Sequence, residues 1–294
     1  MDTLEPTKLS IRKLAQPLGA EITGIDVGQR MSDATFRRIE DAFHEHCVVV
    51  FRNQRLTPEG HTGFSRRFGD LLVHVLKQHN DPQVPEVLVL SNIVKDGKPI
   101  GIQDGGQYWH TDLSYTAEPS RCSLLYSVEI PFENGVALGD TLFVNTCAAY
   151  DALSEEMKAG LAGLKATHSY TARYQRMQQK GGTRVELDEE QKKAVPEVVH
   201  PIVRTHPFTG RKSLYVNEGF TVGIVGMPKN ESDKLLAELY EHVTDERFMY
   251  RHRWQVGDLL MWDNCSTQHN AVANYGPHQR RHMRRTTVRG SAPF

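Results

Sequence analysis

The chain has 294 residues, of which 39% are hydrophobic and 24% are charged, proportions typical of a water-soluble globular protein that can bury its own core. Its formal net charge of −1 excludes a general electrostatic attraction to nucleic acid or to an anionic membrane surface. No stretch approaches the ~20 apolar residues that a helix needs to span a bilayer, and the start "MDTLEPTKLS" lacks the pattern of a signal peptide.

The cysteines give an expectation about the cellular compartment. Cys47, Cys122, Cys147 and Cys265 are far apart and form no CxxC pair, so the sequence predicts neither a zinc knot nor a disulfide framework. Free thiols are typical of a reducing environment, and we therefore expect a cytoplasmic protein.

The first third of the chain predicts a hairpin, two helices and two further strands. The segment "KLSIRKLAQPLGAEITGIDV" alternates around a Pro and Gly turn, which predicts a β-hairpin. Ser32 is a candidate N-cap, and apolar residues recur behind it at helical spacing. "CVVVFR" predicts a buried strand. Thr57-Pro58 predicts the start of a second helix, and "EVLVLSNI" predicts a strand that turns at "KDGK".

The remainder of the chain continues this pattern of strands with occasional helices. "CSLLYSVEI" and "DTLFV" predict strands joined by a loop over 131–139, and "SEEMKAGLAGL" predicts a helix with acids in its first turn. Residues 172–197 are polar and charged without apolar periodicity, which predicts a mobile insertion or lid. "VVHPIVRTH" and "SLYVN" predict two strands, "ESDKLLAELYEHV" an amphipathic helix, and "FMYRHRW", "DLLMWD" and "RHMRRTTVRG" the closing strands.

Strands outnumber helices and show no regular βαβ alternation, so we expect a mainly β protein with flanking helices and an antiparallel core. No repeat or break in composition divides the chain, which predicts one domain over residues 1–294. A double-sheet jelly roll is one architecture of this kind, and its interior can hold a site.

The stretch "GGQYWHTDLSY" places His110 and Asp112 two residues apart. In an extended segment the two side chains point to the same side. An imidazole and a carboxylate are two of the three ligands of a 2-His-1-carboxylate iron(II) site. An HxD pair alone is weak evidence, because such short motifs recur by chance.

The third ligand must come from elsewhere, and "LMWDNCSTQHNAV" is the best source. Its apolar start predicts a buried strand that leads into a polar run containing His269. The alternative is that His269 is an ordinary histidine in a loop.

The arginines after His269 favour a site for an anion. In a strand, Arg281 and Arg285 share one face and Arg284 lies on the other. A buried guanidinium is costly unless it is paired, and Arg suits a carboxylate that it can bind through two parallel hydrogen bonds. The alternatives are a solvated basic strand or a nucleic-acid patch, although the chain has no basic excess for the latter.

Taken together, these segments resemble the iron(II)/2-oxoglutarate-dependent taurine dioxygenase (TauD/TfdA) family. The resemblance extends from "LGAEITGIDV" to "RRTTVRG" and includes "WHTD", "GDT", "VRTHPFTGRKSLYVNEGFT", "RHRWQVGDLLMWDN", "QH" and "QRRHMRR" in order. It implies a double-stranded β-helix, a form of jelly roll, in which His110, Asp112 and His269 bind iron(II). It also implies that Thr141 and Arg281 hold the distal carboxylate of 2-oxoglutarate, and that 2-oxoglutarate and O2 fill the three remaining iron positions.

The resemblance further implies a substrate pocket. The position of Arg285 grips the sulfonate in taurine-type members, and His74, Tyr170 and Phe220 fall at pocket positions. The chain departs from that pattern with Lys77 in place of a Tyr and Gly106 in place of an Asn. These departures argue against taurine and leave another small anion as the expected substrate, such as a sulfonate, a sulfate, an aryloxy or alkyl acid, or an amino-acid derivative. The alternative is that Arg285 pairs with a protein acid and that the substrate is neutral.

The implied reaction is hydroxylation of a small organic anion coupled to decarboxylation of 2-oxoglutarate to succinate and CO2. One alternative is a metal-binding, non-catalytic or regulatory protein of the same fold, and another is a zinc hydrolase that uses the same triad. We expect a small-molecule substrate, no nucleic-acid or membrane partner, and a homo-oligomer, either a dimer or a tetramer.

Overall fold

A computed structural model describes residues 9–74, 77–103, 105–179 and 189–294. The strands are β1 (Ser10–Lys13), β2 (Ala20–Thr23), β3 (Val48–Phe51), β4 (Leu88–Ser91), β5 (Val94–Lys95), β6 (Lys98–Pro99), β7 (Ser120–Glu129), β8 (Phe132–Glu133), β9 (Val136–Ala137), β10 (Thr141–Asn145), β11 (Lys165–His168), β12 (Val198–Pro201), β13 (Val203–Thr205), β14 (Lys212–Leu214), β15 (Thr221–Ile224), β16 (Met249–His252), β17 (Leu259–Asp263), β18 (Thr267–Ala271) and β19 (His282–Arg289). The α-helices are α1 (Asp33–His46), α2 (Pro58–Ser65), α3 (Thr146–Asp151), α4 (Glu155–Leu161), α5 (Tyr170–Gln179), α6 (Glu189–Ala194) and α7 (Lys229–Val243).

A seven-stranded sheet in the order β1-β2-β3-β17-β7-β19-β4 forms the larger layer. Its neighbours are antiparallel except for β2 and β3, which run parallel. A three-stranded sheet, β16-β10-β18, and a second one, β12-β11-β15, complete the main layers. This arrangement confirms the predicted mainly β, jelly-roll core with flanking helices.

Alternation along the strands explains the layering. On β3, Val49 and Phe51 belong to a buried cluster that also contains residues of α1 and α2. Val48 and Val50 belong to a different cluster, which includes Phe143 of β10. Because successive side chains of a strand point to opposite faces, helices cover one face of the large sheet and the smaller sheet packs against the other.

The helices begin at residues that the sequence identifies. The Ser32 hydroxyl accepts a hydrogen bond from the Thr35 amide at 3.1 Å, and Thr57 accepts one from the Gly60 amide at 3.1 Å. Each cap satisfies an amide that the first turn leaves without a partner. Among the described residues, no helix combines the length and apolar character needed to cross a membrane.

Several predicted segments take a different form in the structure. Residues 131–139 contain the short hairpin β8–β9. "VVHPIVRTH" forms two strands, because the chain leaves β11 after Pro201 and pairs with β14 from Val203 onward. The predicted mobile segment 172–197 includes most of α5 and all of α6, and its residues 180–188 lie outside the described residues.

All four cysteines are buried and carry free thiols.

Candidate metal and cosubstrate site

The small sheet brings distant parts of the chain together beside β18. His269 lies on β18, opposite Phe143 of β10. The segment before β7 approaches the other side of β18, and His110 forms an antiparallel bridge with His269. The His110 amide donates to the His269 carbonyl at 3.1 Å, and the His269 amide donates back at 2.9 Å. This bridge fixes the backbones of both histidines beside each other.

His110, Asp112 and His269 form one compact cluster. Each of the three is less than 7% exposed, and one ligand atom from each lies within 4.8 Å of the others. The Nε2 atom of His110 is 3.7 Å from Oδ1 of Asp112. The sequence predicted these three side chains as ligands, although His110 and His269 are 159 positions apart in the chain. The structure brings all three together.

The imidazoles are arranged as neutral donors. Nδ1 of His110 lies 2.8 Å from the Tyr108 carbonyl oxygen, which can only accept, so Nδ1 carries the proton and Nε2 keeps its lone pair. Burial lowers the pKa of His110 and holds the pKa of His269 well below its usual value. Both rings are therefore neutral at physiological pH.

Asp112 is arranged as an ionised donor. Burial alone would raise its pKa, yet the charge of Arg285 and a hydrogen bond from Ser123 hold the pKa well below its usual range. The Ser123 hydroxyl donates to Oδ2 at 2.6 Å. Two neutral imidazoles and one carboxylate on one face suit the 2-His-1-carboxylate iron(II) site.

Arg281 and Thr141 lie beside this cluster in a form that fits an anion. Arg281 is 9% exposed, and within the described ranges it forms no ion pair and its Nε atom has no hydrogen-bond partner. The Thr141 hydroxyl accepts a hydrogen bond from Trp254 Nε1 at 3.1 Å, which leaves its own proton available for donation. Arg281 has a side-chain hydrogen bond with Tyr275, but a buried guanidinium without an ion pair among the described residues calls for an anionic partner, and a carboxylate suits it.

A cavity of about 130 Å³ joins these groups. One part of its wall is polar, with the three clustered residues, Thr141 and the two arginines, and most of the remainder is apolar or aromatic. The lining comprises His74, Leu88, Leu90, Ile102, Gly105, Gly106, Tyr108, His110, Asp112, Leu113, Tyr115, Leu125, Thr141, Tyr170, Met177, Phe220, Trp262, His269, Ala271, Arg281 and Arg285.

The predicted substrate residues do not all reach this cavity. His74, Tyr170 and Phe220 line it, and burial, together with Arg285, lowers the pKa of His74 to about 4. Lys77 does not line it, because its side chain is exposed on the 3₁₀ turn Lys77–His79. The structure therefore leaves Lys77 outside the group that the other predicted residues form.

Arg285 faces the cavity and also contacts the carboxylate of the cluster. Its Nη1 atom donates to Oδ1 of Asp112 at 3.1 Å. Its Nε atom is buried without a hydrogen-bond partner in the described part of the chain. Arg285 thus has donor capacity left for a ligand in the cavity.

Gly106 provides room for the first histidine. Its φ of +78° is a conformation that favours glycine, and an added Cβ would lie 3.2 Å from Cε1 of His110. A side chain at this position would therefore strain the backbone and press on His110.

Sequence reasoning missed most of the apolar wall. Leu88 and Leu90 alternate in "EVLVL", so the sequence predicts that they share one face of a strand. That this face lines the cavity follows only from the pairing of β4 with β19. The contributions of Leu113, Trp262 and Met177 had no comparable signal, because they depend on how separate elements pack.

A second cluster, His206, Asp263 and Cys265, also places potential ligand atoms together. Its polar atoms already have partners. Nε2 of His206 lies 2.6 Å from Oδ2 of Asp263, while Nδ1 accepts from the amides of Phe208 and Thr209 at 3.1 Å. We therefore interpret this cluster as a structural contact that fixes the end of β17.

A jelly roll that encloses two histidines, one carboxylate and an arginine with no ion pair to any described residue defines the class of non-haem iron oxygenases that use an oxo acid. Residues 10–287 match the family described as taurine catabolism dioxygenase TauD, TfdA family, and the chain belongs to that family. It is an oxidoreductase of the dioxygenase type that depends on Fe(II), 2-oxoglutarate and O2. This membership argues against the non-catalytic and zinc-hydrolase alternatives.

Individual relatives cover nearly the whole chain. An alpha-ketoglutarate-dependent 2,4-dichlorophenoxyacetate dioxygenase from Cupriavidus pinatubonensis is 36% identical over 94% of this chain and 97% of its own length. An alpha-ketoglutarate-dependent sulfate ester dioxygenase from Pseudomonas putida is 33% identical over 97% of this chain and 91% of its own. The crystal structure of AAD-2 in complex with Mn(II) and N-oxalylglycine superposes with a TM-score of 0.79 at 32% identity, over 97% of this chain and 99% of that one.

Proposed function

We propose that the chain hydroxylates a small organic anion and couples this reaction to the decarboxylation of 2-oxoglutarate to succinate and CO2. The observation that carries the proposal is the presence of two inward-facing arginines, Arg281 and Arg285, in the cavity that contains the His110, Asp112 and His269 cluster. One cation serves the cosubstrate, and the other remains for the substrate.

His110, Asp112 and His269 would hold the iron, because they offer two neutral imidazoles and one ionised carboxylate. Arg281 and Thr141 would hold the far carboxylate of 2-oxoglutarate with a guanidinium and a hydroxyl donor. When bound, iron with 2-oxoglutarate and O2 supplies the oxidation of a substrate C–H bond, and the protein supplies orientation and exclusion of water.

The chemistry of the cavity wall supports an anionic head group on an apolar body. The Nε atom of Arg285 has no hydrogen-bond partner among the residues that the structure describes, and His74 lines the same cavity. Leu and Met side chains and the rings of Tyr108, Tyr170 and Phe220 complete the wall, which suits an aryl or alkyl group. The names of two relatives, which act on an aryloxyacetate and on sulfate esters, agree with this class.

Taurine is a poor candidate for the preferred substrate. Gly106 has no side chain with which to hydrogen-bond an amine, and a cavity without the polar partners that a ligand needs discriminates against that ligand. Lys77 faces solvent and has no part in the proposed site.

The contact between Arg285 and Asp112 favours the competing possibility of a neutral substrate, since it already offsets part of the arginine's charge.

A substrate panel tests the proposal. The enzyme, supplied with Fe(II) and 2-oxoglutarate under air, is given aryloxy acids, alkyl sulfates, sulfonates, taurine and neutral analogues, and succinate and oxidised product are measured together. We expect an aryl or alkyl anion to stimulate succinate release most, and Arg285→Gln to reduce that response.

Arg284→Gln is the matched control, because Arg284 does not line the cavity. The proposal fails if a neutral compound is the best substrate or if Arg285→Gln processes the anion as well as the wild type does. Taurine as the best substrate would show that Gly106 does not discriminate against it.

A further inference from the structure

A buried group of polar side chains lies behind the Asp112 carboxylate. The Ser123 hydroxyl of β7 donates to Oδ2 of Asp112 at 2.6 Å and accepts a hydrogen bond from Nδ2 of Asn264 at 3.1 Å. Ser123 and Asn264 are both fully buried. The contact is therefore shielded from water, where a charge-assisted hydrogen bond is strong.

Asn264 uses both ends of its amide. Nδ2 also donates to the Ser120 hydroxyl at 2.9 Å, and Ser120 in turn donates to the Asp112 carbonyl at 2.9 Å. Oδ1 accepts from Trp262 Nε1 at 3.1 Å and lies 3.4 Å from the Asp112 amide. Trp262 Nε1 can only donate, so the amide has one possible orientation and the Ser123 proton must point to Asp112.

This arrangement makes the two oxygens of Asp112 unequal. Oδ2 is held by Ser123, whereas Oδ1 is 3.7 Å from Nε2 of His110 and 3.1 Å from Nη1 of Arg285. A carboxylate can bind a metal through one oxygen or both. Three single donor atoms on one face leave three positions open, whereas a second carboxylate oxygen would take one of them.

We propose that Ser123, oriented by Asn264, is a positioning residue that keeps Asp112 a one-oxygen ligand and so reserves a coordination position for O2. The inference rests on the proposed role of Asp112 as an iron ligand. It assigns a function to two side chains that do not line the cavity, and it predicts that their loss affects O2 reactivity more than metal binding.

Three variants on the same strand test this role. Ser123→Ala removes the hydrogen bond, Ser123→Thr keeps the hydroxyl, and Ser127→Ala removes another fully buried serine hydroxyl of β7, one that donates to Gln255 rather than to the site. Each variant is first checked by circular dichroism and thermal unfolding. Co(II) titration followed by the visible spectrum gives metal affinity and coordination, and stopped-flow mixing of the anaerobic Fe(II)–2-oxoglutarate–enzyme complex with O2 gives reactivity.

We expect Ser123→Ala to bind Co(II) as tightly as the wild type but with a changed visible spectrum, and to react with O2 about tenfold or more slowly, the lower end of effects seen when partners of metal ligands are removed. Ser123→Thr should restore both the spectrum and the rate, and Ser127→Ala should match the wild type in both.

Two results would overturn the inference: an unchanged O2 reaction in Ser123→Ala, or a loss of Co(II) affinity that accounts for the whole effect. If Asp112→Asn instead binds Co(II) as the wild type does, the proposed metal site itself fails. A failure of the metal site can be told apart from a failure of the Ser123 inference, because it is read from the Asp112→Asn variant, in which Ser123 is unchanged.

Discussion

The tautomer of His110 is set by one backbone carbonyl, that of Tyr108, and this shows how little of the site lies in the HxD motif itself. The spacing of His110 and Asp112 predicted that the two side chains would lie together. It could not predict that Ser123 and Arg285 would hold the carboxylate, because those contacts join residues that are 11 and 173 positions apart. Local spacing therefore identified the donors, and long-range packing determined their protonation states.

Loss of the third donor tests the cluster directly. His269→Ala should abolish iron(II) binding and the weak visible charge-transfer band expected when 2-oxoglutarate is added without air, because two donors do not form the facial set. His278→Ala is the control, since His278 is exposed and near in sequence. Normal iron affinity and turnover in His269→Ala would show that His269 is not a ligand.

Gly219 allows a prediction about packing. Because it has no side chain, the Tyr108 ring can lie close to His110. A Cβ at this position would lie 2.6 Å from Cε2 of Tyr108 and 3.0 Å from Cβ of His110. Gly219→Ala should therefore displace the Tyr108 ring, lower turnover, and cost about 1–3 kcal/mol of stability, as overpacking does.

Gly63→Ala is the matched control, because no described residue comes within 4 Å of its added Cβ. Turnover and the denaturant midpoint are measured for both variants. If the two variants have the same turnover and denaturant midpoint, the Tyr108 ring can move aside without disturbing His110.

The position of strand β19 explains how a basic segment contributes two arginines to the cavity. Both Arg281, which precedes the strand, and Arg285, which lies on it, line the cavity, as their even spacing predicted. The pairing of β19 with β7 shifts register between His282 and Met283, a detail that alternation alone does not reveal. Polar β18 was missed for a related reason: "TQHNA" becomes a strand because β10 pairs with it, and strand preference depends on such context.

Two neighbouring arginines just before β19, Arg280 and Arg281, give a paired prediction about the cosubstrate. Arg281→Gln removes a buried charged contact, which typically costs about 2–5 kcal/mol, so the 2-oxoglutarate requirement should rise by more than tenfold. Arg280→Gln should change it little, because Arg280 is exposed and pairs with Glu129 at 2.9 Å.

The requirement is read from the rate of succinate formation against 2-oxoglutarate concentration. If Arg281→Gln keeps the wild-type requirement, the cosubstrate carboxylate binds elsewhere, and Arg285, the other arginine of the cavity, becomes the first candidate.

At the scale of the whole molecule, the fold buries several histidines in a neutral form. Burial lowers the pKa of His61 to about 3, and burial with His200 lowers the pKa of His168 to about 3, from an ordinary 6.5. Neither histidine was distinguished by the sequence, because nothing local indicates that a histidine will lie under a sheet.

These histidines predict acid sensitivity. Between pH 6.5 and about 3 the unfolded chain binds protons at these positions and the folded chain does not, so the free energy of unfolding falls as the pH falls. Each group contributes up to about 1.4 kcal/mol per pH unit. Denaturant unfolding at pH 7, 6 and 5 measures the slope, and His61→Gln should make it shallower. An unchanged slope would show that His61 is not neutral in the folded protein.

The four buried thiols can report on local unfolding, because each must be exposed to solvent before it reacts with a reagent. Burial raises the pKa of Cys47 to about 11 and raises the pKa of Cys122, Cys147 and Cys265 above the usual thiol value, and the thiolate is the reactive form. Maleimide should therefore leave the native protein unmodified and add four labels in denaturant, as read by intact mass. Peptide mapping of partly labelled protein at low denaturant would identify which part opens first, because Cys47 ends α1 and Cys147 lies in α3. Rapid labelling of the native protein would mean that these helices open readily.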